Sequence, residues 1–147
     1  MQNNLMKKLN DERKEIESIF HREGILLAYL FGSCSEKGGK PGPLSDLDFA
    51  VYLEKGLSKT KKQKLHLEIL SDLVSILGNN IDLVIMNSAS TQMQFNIIKG
   101  GEVLFQRSEA EKIKIESEIL RTYLDSKYYL ERQAEEKISR IAKRGLT

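Results

Sequence analysis

The stretch LFGSCSEKGGKPGPLSDLDFAV, residues 30–51, decides the fold. It opens at the end of an apolar run, Ile25–Phe31, and breaks at Gly32-Ser33. A loop rich in Gly, Pro and Lys follows, and an ordered pattern resumes at Asp46. From there the residues alternate. Asp46, Asp48, Ala50 and Tyr52 fall on one side, and Leu47, Phe49, Val51 and Leu53 on the other. A period of two is a strand pattern, and it sets both carboxylates on one face, roughly 6.5–7 Å apart along the chain. Two such carboxylates beside a core repel each other and are costly to desolvate unless a cation lies between them. Hard divalent cations take oxygen ligands, so a metal is the natural candidate.

A third acid joins them. Asn80–Met86 reads as another strand with Asp82 near its start. Placed beside the 46–53 strand, at about 4.8 Å between chains, it brings Asp82 toward the same cleft. Three carboxylates so spaced suit a pair of metal ions of the kind used in phosphoryl and nucleotidyl transfer. The bland alternative is a turn-capping Asp46, a solvated Asp48 and a polar strand entry at Asp82.

Gly32-Ser33, a loop, Asp46-x-Asp48 and the later strand acid Asp82 resemble the nucleotidyltransferase superfamily related to DNA polymerase β. More narrowly, the chain resembles the minimal nucleotidyltransferase (MNT) family, the MntA-like antitoxins encoded beside HEPN-domain partners. Twelve residues, Cys34 to Ser45, separate Ser33 from Asp46, a longer spacing than is usual in that family. The extra length is loop material, so the strand ends still align. The resemblance implies an α/β (α+β) nucleotidyltransferase fold, a mixed sheet of about four strands with helices packed on one side and a long C-terminal helix. It implies Mg²⁺, as two ions, at Asp46, Asp48 and Asp82, and ATP whose triphosphate is held by Gly32 and Ser33. It further implies transfer of AMP to a protein hydroxyl, a tyrosine of a HEPN ribonuclease toxin, with the chain as antitoxin. The alternatives are a binding-only antitoxin that masks the toxin without catalysis, and a small-molecule adenylyltransferase, which normally adds a second domain.

The rest of the chain fits one domain of 147 residues: a core over 1–107 and a long helix over 108–147 that packs on it and extends from it. A net charge of +2 is too small to imply direct nucleic-acid binding through a basic surface. Cys34 is the only cysteine, which excludes an internal disulfide and suits a reducing cytosol. No run approaches the ~20 apolar residues of a membrane span, and no signal-peptide pattern opens the chain. The chain therefore reads as cytoplasmic, without membrane contact. Leu9, Ile16, Ile19 and Phe20 predict one helix over residues 5–23, stopped by Gly24. Ile25–Phe31, apolar throughout, predicts a central strand. A helix between Gly56 and Gly78 with Ser58 as cap, a short one over Thr91–Lys99, and an edge strand over Glu102–Gln106 follow. Ser108 with Glu111 forms a capping-box pattern that opens the last helix, to about Lys143. Its charged outer part is a partner surface, a homodimer surface or a solvated tail. Lys37 and Lys40 are loop cations, solvated or on phosphate. Cys34, His21 and His66 read as structural residues rather than a nucleophile or metal ligands.

Overall fold

The computed structural model of the chain describes residues 2–32 and 47–145. Ser33, Asp46, Cys34, Lys37 and Lys40 lie outside the described residues. The elements run α1 (Gln2–Asp11), α2 (Arg13–Ile19), β1 (Ile25–Phe31), β2 (Leu47–Leu53), α3 (Lys59–Leu77), β3 (Ile81–Ile85), a 3₁₀ turn (Met86–Ser88), α4 (Thr91–Gly100), β4 (Glu102–Gln106) and α5 (Glu109–Gly145). The sheet order is β3-β2-β1-β4. β1 is antiparallel to both β2 and β4, and β2 is parallel to β3. This is a mixed four-stranded sheet, with the uniformly apolar β1 in the interior and β4 at one edge.

Both faces of the sheet are covered, which corrects the expectation of helices on one side. Phe49, Val51 and Leu53 pack with Ile16, Phe20, Ile69 and Leu73 of the α2–α3 layer. The alternate residues Ala50 and Tyr52 pack with Tyr29, Ile97, Ile115 and Ile119 beneath α4 and α5. A bulge between Ile25 and Leu27 sets Leu26 and Leu27 successively toward the α4–α5 layer. That is why β1 needs an apolar side chain at every position: each of its faces meets a helical layer.

The first helix is also not continuous. It breaks at Glu12, between α1 and α2, each of which turns an apolar side chain into the core, Leu9 from one and Ile16 from the other. His21 follows α2, with its ring edge on Phe105 at 5.4 Å. Ion pairs tie α2 outward to the sheet edge (Arg13 with Glu102) and the next turn to α3 (Arg22 with Asp72, and with Glu68 at 3.4 Å).

Three serine caps start the later helices as their sequences predict. Ser58 accepts from the Lys61 N–H, Ser90 from Met93 and Ser108 from Glu111, each at 3.1 Å. The Glu111 carboxylate accepts from the Ser108 hydroxyl and pairs with Arg107, whose guanidinium hydrogen bonds hold it below the usual carboxylate range. Arg107 also pairs with Glu54, so one side chain links the ends of β2 and β4 to the start of α5. Deeper in that layer Tyr29 donates to Glu116 at 2.6 Å; burial first, and that carboxylate second, push its phenol above the ordinary range. Where β3 ends, the Asn87 amide continues the ladder, donating to Leu53 O and accepting from Leu53 N, both at 2.9 Å.

Gly101 shows how tightly α4 returns to the sheet. A Cβ there would run into Ile97 O and lie 3.4 Å from Leu30 O, both backbone atoms. Its φ of −81° is ordinary, so space rather than conformation demands glycine. Gly101→Ala is expected to cost about 1–3 kcal/mol, the range for overpacking a filled interior. Thermal denaturation reads this directly, and an unchanged midpoint would refute the contact.

Candidate active site

β2 enters the sheet at Leu47, whose N–H donates to Asn80 O at 3.0 Å, and β3 leaves from the same end. In the parallel register Leu47 faces Ile81, Asp48 faces Asp82 and Phe49 faces Leu83. Asp48 and Asp82 therefore stand side by side, about one strand spacing apart at roughly 4.8 Å. They share the face that carries Ala50 and Val84, the side of α4 and α5. Asp48 is half-buried and Asp82 exposed. The Asp82 Oδ1 accepts from the Leu83 N–H at 3.0 Å, a local bond that fixes the carboxylate at the sheet edge.

Gly32 closes on this pair from the other strand. Phe31, the last residue of β1, is the register partner of Asp48, so the chain reaches Gly32 directly beside that carboxylate. Gly32 has φ +85°, a conformation that favours glycine. A Cβ on it would strike Asp48 Oδ2 and sit 3.3 Å from Asp48 Cγ. Glycine is needed here twice, for the left-handed backbone and for the space the carboxylate occupies. Three of the five residues singled out by sequence, Gly32, Asp48 and Asp82, thus converge at one end of three adjacent strands. Asp46, two residues before Asp48, and Ser33 lie outside the described residues.

The donor set fits a divalent cation. Two carboxylates in register on one face are like charges at close quarters, and an oxygen-seeking cation relieves that repulsion. Among the described residues no group of three metal-type side chains gathers; the third acid of the proposed set is Asp46. A cavity of about 740 Å³ lies elsewhere, toward the other end of β3. It is lined by Lys59, Lys62, His66, Leu67, Ile85 and Asn87, among others, with no carboxylate in the lining. The acid pair is set by strand register and lies apart from that cavity. His66 belongs to the β3 edge, its Nε2 2.9 Å from Leu83 O.

Sequence reading missed Phe31 as a neighbour of the site, because a residue closing an apolar run reads as core. Its signal is positional: the last strand residue before Gly-Ser must flank whatever those residues face.

A family description, "Polymerase beta, Nucleotidyltransferase", matches residues 14–110. The chain belongs to the polymerase-β-type nucleotidyltransferase family. Its fold is similar to that of chains in solved toxin–antitoxin complexes. One is a toxin–antitoxin with AMP-PNP: TM-score 0.61, 23% identity, covering 93% of this chain and 98% of that one. A second is a mutant MntA-HpeT toxin–antitoxin: TM-score 0.60, 21% identity, 94% and 98% covered. A third is a tri-AMPylated HEPN toxin of Shewanella oneidensis with its MNT antitoxin: TM-score 0.56, 20% identity, 94% and 99% covered. No curated protein matches the chain in sequence. No helix among the described residues is long and apolar enough to cross a membrane.

Proposed function

We propose that this chain is a metal-dependent nucleotidyltransferase that moves AMP from ATP to a protein hydroxyl, a tyrosine of a HEPN toxin, and so acts as that toxin's antitoxin. The observation that carries the chemistry is the in-register pair Asp48–Asp82 with Gly32 against the Asp48 carboxylate. Support for the biological setting is the fold shared with chains from toxin–antitoxin complexes, one with AMP-PNP and one with an AMPylated HEPN toxin.

Asp46, Asp48 and Asp82 would hold Mg²⁺, which supplies charge stabilisation at the α-phosphate and the leaving pyrophosphate. Gly32 and Ser33 would meet the triphosphate through backbone N–H groups and a hydroxyl, as the resemblance implies. In the reaction the acceptor oxygen bonds to the α-phosphorus as the bond from that phosphorus to the bridging oxygen breaks. Pyrophosphate departs, and the hydroxyl proton passes to Asp82, which is more exposed than Asp48.

Titration calorimetry tests the binding half without any acceptor. ATP is expected to bind with Mg²⁺ present and at least about tenfold more weakly when the metal is chelated, a difference of about 1.4 kcal/mol. Equal affinity with and without metal would remove the proposed site.

A further inference from the structure

From Leu124 to Gly145 every residue of α5 is exposed, over roughly 33 Å of helix axis. This length is not polar all round. The pairs Arg132–Glu136 at 3.8 Å and Arg140–Glu136 at 3.9 Å, with the Gln133–Tyr129 bond at 2.7 Å, gather on one face. On the opposite face apolar side chains recur in alternating steps of four and three: Leu120, Leu124, Ala134, Ile138 and Ile141, with Lys127 and Glu131 filling the two places between. That spacing is the seam of a paired helix. Leu124, Ile138 and Ile141 are 51%, 66% and 59% exposed, so the seam has no cover among the described residues.

We propose that the seam is covered by α5 of a second copy of this chain, lying antiparallel about a two-fold axis at the level of Tyr129. The charge pattern selects this arrangement. Centred there, Lys127 of each copy lies opposite Glu131 of the other, Leu124 opposite Ala134 and Leu120 opposite Ile138. All apolar positions between Leu120 and Ile138 then meet apolar ones, and both charged positions meet their opposites. A parallel pair would set Lys127 on Lys127 and Glu131 on Glu131, like charges in contact. Sliding the antiparallel pair by one layer sets Lys127 against Ile138 or Leu124. The interface is isologous, as closed dimers require, and the two Lys–Glu layers fix direction and register more than they add affinity. This goes beyond the transfer chemistry and does not depend on it, because it rests on α5 alone.

Light scattering on the full chain is the test. The wild type is expected at twice the chain's 16.8 kDa. Lys127→Glu and Glu131→Lys each place like charges across the axis and are expected to weaken the dimer at least tenfold. Mixed in equal amounts, the two variants are expected to recover the dimer, because each then meets its complement. Both positions are exposed, and circular dichroism checks that the helices persist. A wild-type monomer overturns the proposal, including one whose seam is covered only by a different protein. So does a Lys127→Glu variant as dimeric as wild type, or a mixture that stays monomeric.

Discussion

Asp48→Asn is expected to leave the chain folded and able to dock on the proposed toxin partner while reducing the proposed AMP transfer about a hundredfold to a thousandfold, the range for losing one charge-stabilising group in a site. The half-buried Asp48 stands beside Asp82 on the adjacent strand, so neutralising it relieves like-charge repulsion in the metal-free protein and does not open the core. Intact-mass measurement of the toxin reads the chemistry, as the presence or absence of added adenylyl groups. Pull-down reads the docking, and growth under equal expression reads protection. Protection by Asp48→Asn equal to the wild type would replace the enzyme reading with a binding-only antitoxin. Loss of docking along with transfer would mean instead that Asp48 supports the surface rather than the chemistry.

Gly32→Val is expected to lose ATP affinity by at least tenfold and to abolish transfer. Two effects add at one residue. The backbone at φ +85° penalises any L side chain by about 1–2 kcal/mol, and the new Cβ occupies the place of Asp48 Oδ2. The carboxylate must swing away, and it is the same carboxylate that pairs with Asp82. Because Gly32 follows the last residue of β1, the sheet itself loses no ladder bond, and the melting temperature is expected to fall by only about 2–8 °C. A folded Gly32→Val protein with unchanged nucleotide affinity would show that this strand end does not meet the triphosphate.

Much of the architecture was legible because its signals are local. The period of two from Leu47 to Leu53, the unbroken apolar run Ile25–Phe31 and the serines before α3, α4 and α5 each state their element without reference to anything distant. The convergence of Asp48 and Asp82 was legible as a possibility, since each opens a strand, but their register is a fact of the α3 crossover. The break at Glu12 carried no Gly or Pro, and the apolar positions on either side remained compatible with a single helix. The second helical layer was implied by β1, where both faces are apolar. Its other strand-side contribution was disguised, because Ala50 is small and Tyr52 half-polar, so the alternation suggested one wet face. Residues 33–46 supply Ser33 and Asp46, so their part in the site rests on sequence and resemblance.

The pairing of Phe31 with Asp48 also bears on how such chains diverge. The stalks of the connection between Gly32 and Leu47 are clamped by the antiparallel ladder of β1 and β2. Its length therefore enters only through closure entropy, and two residues more in a loop of this size cost about 0.2 kcal/mol. Insertions there leave Gly32 and Asp48 in place. The strand-end pair and the length of the connection are thus separable units of inheritance: one is held by strand register, and the other is free to drift.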